Sequence, residues 1–296
     1  MNKQVKSPLV HLALFSVSAI YAANYSIAQW AMPEYLGPFG FILIRVFFGA
    51  IVFYSLYRFL LYEPIKERKH YLQLAVAGFF GVSLNMLAFF KGLSMTSVIN
   101  ASVLMLFAPV FVVIISAIKF KNRISIKVWL GILISFIGAA FLVGVQRFSL
   151  GSNGIVGDLL VVLNACSYGF YLVYVAKLLQ IYRATTITAY IFLFGFLFVL
   201  PFGWSEFSVI QWDTLPDKAI YSIVFVVGAT TIIAYFLNSW GVQKSSSTLV
   251  GSYIYLQPVL AALFAILLKQ DVLSLEKTIF AALIILGVYL VSSGKK

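Results

Sequence analysis

Charged side chains inside apolar runs are the residues of this 296-residue chain whose types could do chemistry. Arg45 lies some seven residues into such a run, about 10 Å deep in a helix that rises 1.5 Å per residue. Because a charge in hydrocarbon is costly, we treat it as a functional candidate. Arg45 either opposes the charge of an anionic or zwitterionic ligand or ties down carbonyls and helix ends between helices. Lys91, which ends another run, is either a carboxylate or phosphate clamp or a lysine that extends to the membrane interface.

Uncharged polar side chains at the same depth form a second set, made mostly of amides and tyrosines. They concentrate in six of the ten apolar runs, so we expect a shared polar cavity; for any single residue, a hydrogen bond between helices is the alternative. Amides and tyrosines suit a small polar or zwitterionic ligand with an apolar portion. Asn164 and Tyr253 belong to this set. The candidate binding residues are Tyr21, Asn24, Arg45, Asn85, Lys91, Asn100, Ser102, Tyr168, Tyr235, Asn238, Tyr255 and Gln257.

Carboxylates and histidines stay near the ends of the apolar runs. Asp158, the acid closest to the interior, lies near the start of the sixth run, and His11 and His70 lie at run edges. No proton relay is visible in this pattern. No set of cysteines and histidines matches a metal site, and Cys166 is the single cysteine. We therefore predict no catalytic residues, no metal and no cofactor.

The elements that must position these residues follow from composition. Hydrophobic residues make up 62% of the chain and charged residues 10%, far from the balance of soluble domains. A membrane-spanning helix needs about 20 consecutive apolar residues. The sequence predicts ten such helices with short connections, an all-α polytopic membrane protein. The predicted spans are 9–31, 39–61, 71–90, 98–118, 126–145, 154–176, 185–204, 219–240, 249–268 and 278–292.

Basic residues set the predicted orientation. With the N-terminus inside, fifteen lysines and arginines fall on the inner side of the membrane and five on the outer side, as the positive-inside rule requires. We therefore expect both termini in the cytoplasm and a location in the plasma (inner) membrane. The net charge of +12 then fits cytoplasmic loops against anionic lipid rather than a nucleic-acid partner.

An internal repeat relates the two halves. A shift of 149 positions places Gly92 on Gly241 and Pro109 on Pro258. Each half contains five spans, an odd number, so the second half must be inverted, as in many secondary transporters that rock around a midplane site. We predict repeats over 1–147 and 148–296. The two prolines, expected at mid-span, are either symmetric hinges or static kinks.

The segments with these matches resemble the EamA-type branch of the drug/metabolite transporter superfamily. The first runs from Phe89 through Ser97 into Asn100-Ala101-Ser102 and Pro109, and its counterpart runs from Ser245 to Val259. The resemblance covers essentially the whole chain. It implies ten helices, two inverted repeats and alternating access, often with export of amino acids or related metabolites. One departure is Lys269-Gln270-Asp271, where this branch often has Gly-Glu.

The function that fits best is a secondary transporter that exports a small polar metabolite, such as an amino acid, by alternating access. Its expected partners are a small-molecule substrate and the lipid bilayer. Nucleosides, sugars or amphipathic cationic drugs are alternative substrates. A channel-like facilitator fits less well, because mid-span prolines in an inverted repeat favour a rocking carrier. An intramembrane enzyme would need a carboxylate pair or metal site that the sequence lacks.

Overall fold

The structure is a computed structural model that describes residues 8–32, 34–96, 101, 104–121, 124–143, 154–267 and 275–293. Within these ranges the chain is helical and forms no strand. The predicted all-α fold is confirmed. The candidates Asn100 and Ser102, and the departure at 269–271, lie outside the described residues.

Within the described ranges, ten helices follow the ten predicted spans. Three of them contain wider, π-helical segments, described below. The ninth, α9, is broken into three pieces: Ser247–Ser252, a 3-10 turn at Tyr253–Tyr255, and Leu256–Leu267. The others are α1 (Pro8–Ile27), α2 (Pro38–Leu60), α3 (Arg68–Leu93), α4 (Ala108–Phe120), α5 (Ile126–Val143), α6 (Ile155–Leu178), α7 (Ala184–Phe207), α8 (Asp217–Lys244) and α10 (Leu275–Ser293).

Five of these helices, α2, α3, α6, α7 and α8, are long and apolar enough to cross a membrane. Shorter apolar helices occur at Pro8–Asn24, Ala108–Lys119, Ile126–Phe141 and Thr278–Val291. Large apolar side chains such as Leu9, Phe59 and Tyr289 are exposed on the outside of the bundle. Such a surface is suited to lipid, since soluble monomers rarely expose large apolar patches.

Helix packing follows the inverted repeat. Helix α1 packs on α8 and α9, and its counterpart α6 packs on α3 and α4. Helix α2 packs along α7, and α5 packs along α10. Each of these contacts either corresponds to an equivalent contact in the other half or joins two equivalent helices. The first half and the second half together enclose the centre of the bundle.

Two of the π-helical segments are themselves equivalent. One covers Phe79–Ser83 in α3 and the other Val226–Ile233 in α8, and the shift of 149 places the first inside the second. A π-helical turn replaces i→i−4 bonds by i→i−5 bonds and is frequent at functional sites. Its carbonyls also accept side-chain donors here: Phe80 from Ser167 Oγ at 2.7 Å and Gly81 from Tyr235 Oη at 3.0 Å.

Each proline lies next to a break in its span and not inside a continuous helix. Pro109 is in the first turn of α4, directly after a turn at residues 106–107. Pro258 is the third residue of Leu256–Leu267, directly after the 3-10 turn. In the first turn of a helix a proline removes no intrahelical bond, because those N–H groups have no helical acceptor. Each proline therefore starts a new segment at a break in its span.

Two glutamates cap the α2–α7 pair at opposite ends. Glu206, at the end of α7, accepts hydrogen bonds from the Phe39 and Gly40 backbone N–H groups at 2.6 and 2.9 Å. Glu63, just after α2, accepts from the Arg183 N–H at 2.9 Å and the Thr186 hydroxyl at 2.7 Å. Each carboxylate thus accepts hydrogen bonds from free N–H groups at the start of a helix in the other repeat. Its negative charge also interacts favourably with the positive end of that helix dipole.

Candidate functional site

A cavity of about 620 Å³, including the part open to solvent, lies at the centre of the bundle. Both halves contribute to its walls, through α1 to α3 and the residues before α4 in the first half and α6, α8 and α9 in the second. The lining residues are Tyr21, Asn24, Arg45, Asn85, Met86, Phe89, Phe90, Met105, Asn164, Tyr168, Thr230, Tyr235, Ile254 and Gln257.

Arg45 supplies the charge of the cavity. The residue is 3% exposed, its Nε donates to Thr231 Oγ1 at 3.0 Å, and its guanidinium carbon lies 5.2 Å from the centre of the Phe90 ring. No acidic residue is present among the described lining residues, and none of the ion pairs between described residues involves Arg45. The cavity therefore carries a buried positive charge that these residues do not neutralise.

The position of Arg45 depends on a close approach of α2 to α8. Gly49 lies one turn after Arg45, and a Cβ added there would be 2.5 Å from the Phe192 ring and 3.1 Å from Thr231 Cγ2. Only glycine leaves room for this approach, since a core overpacked by even one carbon must shift. Thr231 in turn donates to the Val226 carbonyl at 2.7 Å, across the π-helical turn. The threonine hydroxyl is thereby oriented to accept from the arginine.

Two asparagines also line the cavity. Asn164 Nδ2 on α6 donates to the Asn85 carbonyl at 2.7 Å, and Asn85 Nδ2 on α3 donates to the Asn164 carbonyl at 3.5 Å. This reciprocal pair joins α3 of the first half to α6 of the second half. Asn24 on α1 accepts a hydrogen bond from Thr230 at 3.2 Å, so the lining presents polar groups held by neighbouring helices.

Three tyrosines also contribute to the lining of the cavity. Tyr21 and Tyr168, which lie in the corresponding helices α1 and α6 at an offset slightly different from 149, both accept hydrogen bonds from Asn238 Nδ2, at 3.5 and 3.0 Å. Tyr235 donates to the Gly81 carbonyl and packs edge-on against Phe192, with 5.0 Å between ring centres. The three hydroxyls are thus held in place by hydrogen bonds to groups that are not part of the cavity lining.

The structure brings most of the sequence candidates together. Seven of them line the cavity: Tyr21, Asn24, Arg45, Asn85, Tyr168, Tyr235 and Gln257. Asn238 lies behind the two tyrosines, and Tyr255 is fully buried with a hydroxyl that has no hydrogen-bond partner among the described residues. Lys91 is half-buried, with its ammonium 5.9 Å from the Phe39 ring centre. These last three residues are not part of the lining.

Sequence reasoning did not single out Thr230 and Thr231, although Thr231 is the direct partner of Arg45. The signal was present as two adjacent threonines within an otherwise apolar run, following Gly228. The apolar lining residues gave no signal, because methionine and phenylalanine are common throughout a membrane span. Among the described residues no group of three or more histidines, cysteines or carboxylates is close enough to hold a metal ion.

The sequence profile of the EamA-like transporter family matches residues 9–144 and 155–293. The chain belongs to this family. The two matched segments each contain five of the ten helices, and the family places the protein in the drug/metabolite transporter superfamily, as its residues indicated. The protein is thus a multi-pass integral membrane protein of a transporter family with a ten-helix inverted-repeat fold.

Similar proteins agree with this assignment. An uncharacterized transporter of Archaeoglobus fulgidus is 26% identical, over 96% of this chain and 97% of its own. The uncharacterized transporter YetK of Bacillus subtilis is 26% identical over 79% and 71% of the two chains, and a WAT1-related protein of Arabidopsis thaliana is 21% identical over 96% and 84%. A solved crystal structure superposes with a TM-score of 0.76 at 20% identity, over 97% of this chain and 96% of the other, which supports the fold.

Proposed function

We propose that this member of the EamA-like family is a secondary transporter that exports a small carboxylate-bearing metabolite, such as an amino acid, by alternating access. The carboxylate binds the Arg45 guanidinium, and the rest of the molecule occupies the central cavity. Binding takes place between the two repeats, and rocking of one half against the other exposes the site to either side of the membrane.

One observation carries this proposal: a buried arginine lines the cavity, and no described lining residue is acidic. A buried charge without a counter-charge is strongly unfavourable, so its natural partner is an anion that enters the cavity. Guanidinium also matches a carboxylate in geometry, with two parallel hydrogen bonds. Thr231 occupies only the Nε donor among the described hydrogen bonds of Arg45.

The remaining lining favours a ligand that also has an apolar part. Met86, Phe89, Phe90, Met105 and Ile254 provide apolar contacts, and methionine adapts to side chains of different shape. A cationic drug would meet the positive charge of Arg45 without a described acidic partner in the lining. A neutral nucleoside or sugar would leave that charge unopposed.

The direct test is transport by the purified protein in liposomes, with a panel of amino acids, amines, nucleosides and sugars. We expect saturable flux of a carboxylate-bearing compound. Arg45→Gln should weaken its binding by about 30-fold or more, the usual effect of removing one partner of a buried charge pair. Arg45→Lys should retain part of the affinity, because it keeps the charge but not the two-pronged geometry.

The matched control is Arg58→Gln. Arg58 is an exposed arginine on the same helix, near the Tyr62 ring, and its loss should leave binding unchanged. Wild-type affinity in Arg45→Gln would refute the proposed carboxylate site. Flux of nucleosides or sugars alone would keep the transporter and change the substrate class.

We also propose that both termini lie in the cytoplasm of a plasma (inner) membrane. The fifteen-to-five division of basic residues supports this orientation. Reporter tags that are active only in the cytoplasm, fused to either end, provide the measurement. Activity of both fusions is expected, whereas a single active end would show an odd number of crossings.

A further inference from the structure

One lining residue has an unusual hydrogen-bonding state. Asn164 is 2% exposed, lies about one third of the way along α6, and lines the cavity. Its amide nitrogen donates to the Asn85 carbonyl at 2.7 Å. This bond fixes the orientation of the amide, since a flip would place oxygen against oxygen.

The other atom of this amide, Asn164 Oδ1, is buried and has no hydrogen-bond partner among the described residues. Buried polar atoms in native proteins are almost always paired, so an exception requires an explanation. The explanation that fits a cavity wall is an occupant that supplies the missing donor. Two further buried oxygens, on Ser239 and Tyr255, also lack a hydrogen-bond partner among the described residues, but neither residue lines the cavity.

We propose that Asn164 Oδ1 accepts a hydrogen bond from the transported molecule and so selects ligands that carry an N–H or O–H donor. This inference rests on the proposed function, because it places the donor on the same ligand whose carboxylate binds Arg45. Because the amide is fixed in orientation, it cannot flip to present its NH₂ group to a ligand that lacks a donor. An ammonium, hydroxyl or amide group satisfies it, whereas a methylene leaves it unpaired.

Four probes of similar size separate the two contacts. L-Leucine and 2-hydroxy-4-methylpentanoate carry both a carboxylate and a donor. 4-Methylpentanoate carries only the carboxylate, and 3-methylbutylamine carries only the donor. Binding to the purified full-length protein is measured by calorimetry or by the shift in unfolding temperature that a ligand of the folded state produces.

For the wild-type protein we expect leucine and the hydroxy acid to bind about tenfold more tightly than 4-methylpentanoate, since a site that offers a buried polar group rejects an analogue without its partner. Asn164→Leu should bring the three affinities together by removing the acceptor. Asn164→Ser replaces the amide by a neutral hydroxyl that can donate to the Asn85 carbonyl and still accept a hydrogen bond from a ligand, so it should retain part of the preference for donors. It also provides a test if the leucine variant does not fold.

The outcomes distinguish the two proposals. Equal wild-type binding of the three carboxylates, or an unchanged preference in Asn164→Leu, would overturn the role of Asn164 and leave Arg45 in place. Binding of the amine alone, lost in Asn164→Leu, would support Asn164 and refute the carboxylate site. Absence of binding by all four probes would overturn both.

Discussion

Two equivalent helix contacts differ in chemistry although they share one geometry. In the first, Gly49 of α2 faces Thr231 in the π-helical segment of α8. In the second, Gly195 of α7 faces Val82 in the π-helical segment of α3, where an added Cβ would lie 2.5 Å from Val82 Cγ1. The shift of 149 places Val82 on Thr231. Both contacts therefore set a glycine of the equivalent helices α2 and α7 against matching π-helical positions, although Gly49 and Gly195 are offset by 146 and not by 149.

The side chains one turn earlier show the difference. Arg45 precedes Gly49 by four residues, and Ile191 precedes Gly195 by four residues. The α2–α8 contact therefore carries a buried arginine bound to a threonine, whereas the α7–α3 contact carries only isoleucine and valine. The scaffold is nearly symmetric, while the charge of the cavity comes from one repeat alone. The polar pair is not needed for the packing itself.

The largest expected effect comes from making the two contacts alike. The double variant Arg45→Ile/Thr231→Val gives α2–α8 the residues of α7–α3. We expect it to fold with equal or higher stability, because replacing a buried charge by apolar side chains is often neutral or stabilising by about 1–4 kcal/mol. Transport should fall by about 100-fold or more. Thermal unfolding in detergent measures the stability, and flux in liposomes measures transport. Near-normal flux would show that the asymmetry has no role in transport.

A second comparison uses the two glycines. Gly49→Ala and Gly195→Ala should each destabilise the protein by about 1–3 kcal/mol, because both overpack a close helix contact. Only Gly49→Ala moves Arg45, so only this variant should also lose substrate affinity, by about tenfold, or 1.4 kcal/mol. Unfolding temperatures and dissociation constants for both variants provide the check. Similar affinity losses in both variants would mean that the loss follows from distorted helix packing in general and not from a displacement of Arg45.

A smaller effect is expected for the hydroxyl that orients the arginine. Thr231→Val keeps the shape of the side chain and removes one hydrogen bond, worth about 0.5–1.5 kcal/mol, so substrate affinity should fall roughly three- to tenfold. Thr188→Val is the matched control, because Thr188 is buried in α7 and bonds only to carbonyls of its own helix. Binding isotherms for the pair would contradict the orienting role if the two variants lost affinity equally.

The smallest effect is expected for the two prolines. Pro109→Ala and Pro258→Ala should change stability by less than about 1 kcal/mol, since each proline lies in the first turn of a segment. Thermal unfolding of both variants tests this expectation. Their role as hinges stays a prediction with its own measurement, the transport rate: unchanged rates in both variants would refute it.

Much of the fold could be predicted from the sequence, because hydropathy identifies the long apolar segments that span a bilayer. The predicted second span, 39–61, corresponds to α2 at Pro38–Leu60. The third begins three residues earlier than predicted, at Arg68, since polar residues in the first turn lie outside the hydrocarbon. Hydropathy does not register backbone hydrogen bonds, so the π-helical segments could not be predicted. The prolines indicated interruptions of their spans, but not that each break would come just before the proline.

The candidate site was predicted in composition more than in detail. Polar residue types at membrane depth indicated the cavity set, and Arg45 was evident as a charge in an apolar run. The direction in which each side chain points was not available, because these spans are apolar on most faces and their periodicity is weak. Asn238 was therefore expected to line the cavity although it lies behind Tyr21 and Tyr168. Thr230 and Thr231 were not singled out, because threonine hydroxyls are common in membrane helices.

The paired caps on α2 and α7 have a consequence for biosynthesis. The Phe39 and Gly40 N–H groups receive their acceptor from Glu206, a residue that the ribosome adds more than 160 positions later. Until then these groups must be satisfied by water at the membrane surface. The first half of the chain therefore enters the membrane in an unfinished state, and its second helix reaches its final environment only when the inverted half has been inserted beside it.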